Sequence, residues 1–257
     1  MTESDLQLDR IFTDSPHGAS FAFYSGGIKP MLRTLWTTAL DVIFPSVCVG
    51  CDRVGALLCE HCIEAIQSPP SPPSPSGEIA AFVAVGAHTT ALRDALRALK
   101  YEGERRMGEV LGRLLAEKVI EKEWPIDMVI PVPLHSQRLA ERGYNQANEI
   151  AKTLATEIRG SLASDALDKV RATTSQVELS AVDRQHNVEG AFKVAESYQQ
   201  HLQDKIILLV DDVCTTGSTL MECAAALRDA GVARVYVATV TRAGSTLADS
   251  LSGNKHS

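Results

Sequence analysis

The sequence has few aromatic residues and no surplus of positive charge. Aromatic residues make up 5% of the 257 residues, and the formal net charge is −7 at pH 7. A protein that binds nucleic acid through its phosphates needs a surplus of lysine and arginine at the contact surface. The composition therefore excludes a protein that coats nucleic acid through overall charge, but it leaves room for a local basic site.

Long apolar runs are also missing. No apolar run reaches the roughly 18 to 20 residues that a membrane-spanning helix needs. The N-terminal segment MTESDLQLDRIFTDSPH is polar and acidic, whereas a signal peptide begins with basic residues and continues into an apolar stretch. We therefore expect a cytoplasmic protein without a membrane span.

What is present is ordinary globular composition, with 45% hydrophobic and 22% charged residues. This is enough chain for one large or two modest domains with a core. The segment QSPPSPPSPSG holds five of the eleven prolines and predicts an extended linker. The expected organisation is a poorly ordered extension (1–30), an amphipathic helix and cysteine module (31–66), the linker (67–77), a main domain (78–245) and a flexible tail (246–257).

The helix expected before the cysteines has an apolar stripe at steps of three and four residues, and Pro45 ends it. The stripe favours a docking or core face over a membrane anchor, because the opposite face is not rich in lysine and arginine. The stripe residues are Leu32, Leu35, Trp36, Ala39, Leu40 and Ile43.

After the linker, apolar strands alternate with amphipathic helices. Gly160 is expected to provide a left-handed cap for the third helix, and Gly231 to end the fourth. Continuously apolar strands joined through helices are typical of a parallel sheet covered on both faces, so the predicted fold class is α/β. Strands are predicted at 80–88, 127–134, 205–210 and 233–240, and helices at 89–101, 107–122, 145–160 and 218–231.

Four of the six cysteines form two C-x2-C pairs, Cys48 with Cys51 and Cys59 with Cys62. Two such pairs supply the four thiolates of a tetrahedral zinc site, with no position left for water. Such a site is structural and couples metal binding to folding. The alternative, free or disulfide-bonded thiols, is disfavoured because a reducing cytosol opposes disulfides. His61 could replace one cysteine as a ligand, but we expect it to be solvated.

The most informative segment is IILLVDDVCTTGST at 206–219. An apolar strand brings Asp211 and Asp212 to its C-terminal end, where ligands bind in open parallel sheets. A hydroxyl-rich turn follows at the start of a helix, where free N–H groups and the helix dipole favour an anion. The segment contains neither a Walker A motif nor a dinucleotide fingerprint. The turn consists of Thr215, Thr216, Gly217, Ser218 and Thr219.

We interpret this segment as a monophosphate loop beside an acidic pair that binds a diol. The alternative is a strand-to-helix turn with ordinary caps. That alternative leaves two adjacent acids at the end of a buried strand unexplained.

Two further stretches carry candidate ligand-binding residues. Arg138 and Arg142 are four residues apart and can point the same way, with guanidinium groups that match phosphate oxygens; the alternative is a solvated basic helix edge. A long polar stretch at 171–194 is compatible with a mobile lid, although each of its residues could equally be an ordinary surface residue. The lid candidates are Arg171, Thr174, Gln176, Arg184 and Asn187.

The 206–219 segment resembles the phosphoribosyl pyrophosphate (PRPP) signature of type I phosphoribosyltransferases. In that family the acidic pair holds the ribose 2′ and 3′ hydroxyls and the loop takes the 5′-phosphate. The chain as a whole resembles the ComF family of competence-associated, phosphoribosyltransferase-like proteins over about residues 31–243. This resemblance rests on the cysteine module, LKYEG at 99–103, the segment 131–155, the stretch 171–194 and VDDVCTTGST.

The resemblance implies a type I phosphoribosyltransferase domain that binds PRPP with Mg²⁺. The stretch after Pro131 would be the pyrophosphate loop, with Arg138 and Arg142 near it, and residues 171–187 the flap. The ComF family is linked to natural transformation and to imported single-stranded DNA. Single-stranded DNA and proteins of the competence machinery are therefore candidate partners.

Two functions remain open from the sequence. One is a phosphoribosyltransferase with an unknown acceptor. The other is a non-enzymatic adaptor for DNA or partner proteins, with PRPP as a regulatory ligand. A basic stretch could contact nucleic acid, but acidic residues interleave with it, and a solvated helix face is the favoured interpretation. Its members are Arg93, Arg97, Lys100, Arg105 and Arg106.

Overall fold

The computed structural model of the protein describes residues 45–70, 77–170 and 190–243. The described residues all lie in the compact unit Pro45–Ser257. The helix expected before Pro45 and the lid candidates between 171 and 187 lie outside the described residues.

A parallel sheet of five strands forms the centre of the described part, in the order β1-β7-β6-β2-β3. Strands β4 and β5 form a separate antiparallel pair. This confirms the predicted α/β class with a mostly parallel sheet. The strands are β1 Ala81–Ala87, β2 Met128–Pro131, β3 Ser161–Leu162, β4 Leu167–Lys169, β5 Phe192–Val194, β6 Ile206–Cys214 and β7 Arg234–Arg242.

Helices cover both faces of the sheet. One face packs against α2, α3 and α5, and the opposite face packs against α6 and the β4–β5 pair. A short 3-10 turn spans Glu196–Tyr198. None of the described helices combines the length and the apolar character that crossing a bilayer requires. The helices are α1 Glu60–Glu64, α2 Thr90–Tyr101, α3 Met107–Ile120, α4 Ser136–Arg142, α5 Gln146–Glu157 and α6 Ser218–Asp229.

Of the two predicted helix ends, the one at Gly231 is confirmed and the one at Gly160 is displaced by one residue. After α6, Gly231 adopts φ +86°, as a left-handed C-terminal cap requires. After α5 the left-handed residue is Arg159, at φ +56°, so the prediction for Gly160 was wrong. The N–H of Gly160 bonds the carbonyl of Ala155 (2.8 Å), which makes it the residue after the left-handed one in a Schellman motif.

The cysteine module packs directly on the main domain. Gly50 lies between the two parts. A Cβ added to Gly50 would be 2.9 Å from the Cys62 sulfur and 3.2 Å from the Cβ of Ala91 in α2. The N–H of Ala87 at the end of β1 donates to the carbonyl of Gln67 (2.9 Å). The first residues of the proline-rich segment therefore follow the outer edge of the sheet.

Candidate functional site

A cavity of about 880 Å³ opens at the C-terminal ends of β2 and β6. In parallel sheets this edge is where ligands bind. Its walls come from α2, α4, α5 and the turn before α6, so segments far apart in the sequence meet there. The lining includes His88, Lys100, Tyr101, Arg138, Arg142, Gln146, Lys169, Asp211, Asp212, Thr215 and Thr219.

Asp212 is the most tightly held acid of the cavity. It is 4% exposed and accepts a hydrogen bond from Nε2 of Gln146 (2.9 Å) at Oδ1. Its Oδ2 forms an ion pair with Nζ of Lys100. Burial alone would raise the pKa of Asp212, but the Lys100 ammonium and the Gln146 amide lower the pKa below the usual value. Asp212 is therefore a fixed, ionised carboxylate.

Asp211 has the opposite electrostatic environment. Its Oδ1 accepts the backbone N–H of Asp212 (2.8 Å). Burial, and then the neighbouring Asp212 carboxylate, raise the pKa of Asp211 well above its usual value. Adjacent acids with pKa values pushed in opposite directions are typical of functional sites.

The hydroxyl-rich turn lies beside this acidic pair. Gly217 adopts φ +83° and stands at the N-cap position of α6. Around it, the hydroxyls of Thr216 and Ser218 are 2.8 Å apart, while Thr215 and Thr219 line the cavity. The turn thus presents hydroxyls and the first N–H groups of a helix to one end of the cavity, as an anion site requires.

The two predicted arginines both lie on α4 and both line the cavity. Arg142 donates from Nη1 to Oε1 of Gln146. Its guanidinium also lies over the Tyr101 ring, 5.5 Å from the ring centroid. The segment after Pro131 therefore brings two cations to the cavity, and one of them, Arg142, lies against α2.

Two residues that contact Asp212 directly were missed. The prediction of a solvated basic face is wrong for Lys100, since its side chain is only 20% exposed. The missed signal is spacing: Lys100 follows buried Leu96 by four residues, so it continues the apolar stripe of α2 into the cavity. Gln146 is 6% exposed and was not distinguished from the polar residues around it.

The other cations of that basic stretch pair with acids on the surface. Arg93 contacts Asp94 (3.4 Å) and Arg97 contacts Glu102 (3.6 Å). Arg105 bonds Glu149 and Arg106 bonds Glu104, each at 2.9 Å. These contacts match the interleaved, solvated face that the sequence favoured.

The four predicted cysteines come together. The sulfurs of Cys48, Cys51, Cys59 and Cys62 all lie within 4.8 Å of one another, and all four are free thiols. The N–H of Cys59 donates to the sulfur of Cys48 (3.3 Å). His61 is exposed and lies outside the group.

The donor set of this cluster fits a metal ion. Four sulfur donors in one cluster suit a structural zinc ion. Burial and the neighbouring thiols raise the pKa of Cys62 to about 12. Burial would also raise the pKa of Cys48, but hydrogen bonds from the backbone of Cys59 and Gly50 and from neighbouring thiols lower it to about 6, which favours the Cys48 thiolate. Metal ligation requires such deprotonation.

Comparison with known proteins agrees with this geometry. The family model for the phosphoribosyl transferase domain matches residues 100–255. Competence protein F of Haemophilus influenzae is 33% identical over 167 residues, which are 63% of this chain and 72% of that protein. DNA utilization protein YhgH of Salmonella typhi is 34% identical over 160 residues, covering 60% of this chain and 69% of its own.

A more distant relative covers more of the chain. Competence protein ComFC of Streptococcus pneumoniae is 22% identical over 204 residues, which are 76% of this chain and 87% of that protein. The matched domain and the site at its sheet edge define a phosphoribosyltransferase-type protein. Within that class, the chain belongs to the family of competence protein F, ComFC and YhgH.

Proposed function

We propose that the protein binds PRPP in the 880 Å³ cavity and transfers its phosphoribosyl group to an acceptor. The observation that carries the proposal is convergence. An acidic pair, a hydroxyl-rich helix start and two arginines, taken from two separate segments of the chain, all border one cavity. Each group suits a different part of PRPP.

The ribose would bind at the acidic pair. The 2′ and 3′ hydroxyls would donate to the acidic pair, since a carboxylate offers about four lone-pair sites and the contacts with Lys100 and Gln146 use only part of those of Asp212. The 5′-phosphate would bind at Thr215–Thr219, on the N–H groups of the helix start. Arg138 and Arg142 would receive the pyrophosphate, since a guanidinium group matches phosphate oxygens.

Pyrophosphate leaves from the anomeric carbon, and the sugar passes through an oxocarbenium-like state similar to that of glycoside cleavage. The two arginines would stabilise the charge that develops on the departing pyrophosphate. When bound, Mg²⁺ would neutralise part of the pyrophosphate charge. Carboxylate oxygens suit this ion, so the acidic pair would be its protein neighbour. The flap assignment of residues 171–187 stays a prediction.

Two further assignments belong to the proposal. The cysteine cluster would hold structural zinc, as its sulfur geometry supports. The cell compartment would be the cytoplasm, whose reducing conditions suit free thiols at all six described cysteines. The names of the relatives support an association with competence and DNA utilization.

The adaptor role remains the second candidate, and those same names favour it. Single-stranded DNA and competence proteins would then be partners and PRPP a regulatory ligand. The surface cations of the basic stretch already pair with acids, so the structure gives this role no cationic surface there.

The test is a screen for pyrophosphate release from PRPP and Mg²⁺ with nucleobases and nucleic-acid ends as acceptors. Release that depends on one acceptor is expected, and the variant with Asp211→Asn and Asp212→Asn should lose it. PRPP binding without release for any acceptor would favour the adaptor. Single-strand binding that falls steeply with salt would support the adaptor independently.

A further inference from the structure

Asp212 already has a cationic partner from the protein itself, the ammonium group of Lys100. Lys100 is the penultimate residue of α2, and its ammonium contacts Oδ2 of Asp212. The lysine side chain is 20% exposed and the aspartate side chain 6% exposed. The pair is therefore shielded from water on most sides, where like charges repel strongly and opposite charges attract strongly.

The other oxygen of Asp212 is also engaged, by a group whose orientation is fixed. The Gln146 amide has one donor end and one acceptor end. Its oxygen accepts from the guanidinium of Arg142, so its NH₂ group must face Asp212. Reversing the amide would set its oxygen against a carboxylate and its NH₂ against a cation. Both oxygens of Asp212 thus already have a partner, the Gln146 amide at Oδ1 and the Lys100 ammonium at Oδ2.

We propose that the Lys100 ammonium prevents divalent cations from binding to Asp212 in the ligand-free protein. The cation then enters the cavity bound to the pyrophosphate of PRPP. This inference rests on the proposed function. A magnesium ion bound to Asp212 would sit about 2.1 Å from its oxygen, beside the Lys100 ammonium. Two cations that close repel in a partly buried site. The neutral hydroxyls of a ribose meet no such repulsion.

The test measures Mn²⁺ binding by electron paramagnetic resonance, using the zinc-loaded full-length protein. The wild-type protein should take up no Mn²⁺ at this site below about 1 mM without PRPP, and should take it up once PRPP is added. Lys100→Gln removes the charge, so this variant should bind Mn²⁺ without PRPP at least 10-fold more tightly than wild type. Lys100→Arg keeps the charge and should behave like wild type.

A third variant assigns the gained site. Adding Asp212→Asn to Lys100→Gln should abolish the gained Mn²⁺ binding, which a merely structural role of Lys100 would not predict. Lys100→Met replaces Lys100→Gln if the latter fails to fold, as judged by circular dichroism and zinc content. If neither folds, the wild-type titration decides.

Two results would overturn the inference. One is tight Mn²⁺ binding by the wild-type protein without PRPP that disappears with Asp212→Asn. The other is a folded, neutral Lys100 variant with no gain in Mn²⁺ affinity. Failure of the wild-type protein to bind PRPP would instead contradict the proposed function, while the comparison of the Lys100 variants without PRPP stays readable.

Discussion

At the scale of single residues, Asp211 and Asp212 show how one dipeptide acquires two electrostatic characters. Asp212 contacts Lys100 and Gln146, and its pKa is lowered. The pKa of Asp211 is raised by burial and by Asp212, and the charge of Lys100 only partly opposes this rise. An ionised Asp211 is therefore costly in the ligand-free protein.

The first prediction concerns stability and pH. Because the pKa of Asp211 is higher in the folded protein than in the unfolded chain, the folded state binds more protons between the two values. Stability is therefore lost as the pH rises from about 4 through the folded-state pKa. Asp211→Asn cannot ionise, and it should raise the free energy of unfolding at pH 7 by about 0.5–2 kcal/mol.

Thermal unfolding at several pH values between 4 and 7 measures this effect. The difference in the free energy of unfolding between Asp211→Asn and wild type should increase as the pH rises. Asp212→Asn is the matched control and should destabilise instead, because it leaves the largely buried Lys100 ammonium without its partner. A gap that does not change with pH would show that Asp211 does not carry this cost.

Single residues also show which parts of the site could be predicted. The acidic pair, the hydroxyl-rich turn and the cysteines could be predicted because the residues of each group lie close together in the sequence. Lys100 and Gln146 could not, because their role is defined only by contact with Asp212, 112 and 66 positions away along the chain. The apolar stripe of α2 was the one local signal for Lys100.

At the scale of elements, α3 and α5 cross closely because glycines face the partner helix. A Cβ on Gly108 would lie 2.8 Å from the Cβ of Glu149. One on Gly112 would lie 2.7 Å from the carbonyl oxygen of Ile150. This crossing holds the first turn of α5, with Gln146, against the sheet edge.

The second prediction is that Gly112→Ala destabilises the protein. The added methyl group overpacks the crossing, which costs about 1–3 kcal/mol. Better helix propensity returns up to about 1 kcal/mol, so the net change should still lower the free energy of unfolding. Equilibrium unfolding in urea measures this change in the free energy of unfolding.

The matched control for that prediction is Gly77→Ala, since nothing lies within 4 Å of a Cβ there. It should change stability by less than about 0.5 kcal/mol. Equal changes in the free energy of unfolding for the two substitutions would show that the α3–α5 crossing accommodates a methyl group without overpacking.

The elements themselves were largely predictable. The strand β1 is apolar throughout, β6 is apolar from Ile206 to Val210 before it continues through the acidic pair, and β7 is mainly apolar between its terminal arginines. The amphipathic helices follow their apolar periodicity. The predicted end of α5 is displaced by one residue because the left-handed cap position favours glycine, and Gly160 is the glycine near that helix end. In the structure Arg159 takes the left-handed position, and Gly160 packs against Ile158.

At the scale of the whole molecule, the cysteine module and the phosphoribosyltransferase-type domain share one packed unit. Cys48 and Leu58 pack with Ala91 of α2 and with Val110 and Leu114 of α3. The sequence suggested two parts joined by a linker, since composition carries no information about docking across that linker.

The third prediction is that zinc removal loosens the module first. Chelation takes away the ion that would offset four clustered thiols, so residues 48–62 should lose protection from hydrogen exchange. Strands β6 and β7 at the sheet centre should keep theirs. Exchange measured by mass spectrometry with and without chelator checks this. Unchanged protection of residues 48–62 would exclude a metal-dependent module.

The central claim is that one cavity binds PRPP through the acidic pair. Calorimetric titration of PRPP with Mg²⁺ into the zinc-loaded protein tests it most directly. Wild type should bind one PRPP per chain, and the variant with Asp211→Asn and Asp212→Asn should bind at least about 100-fold more weakly while remaining folded, because two hydrogen bonds to charged groups are lost. Unchanged affinity in that variant would contradict the account.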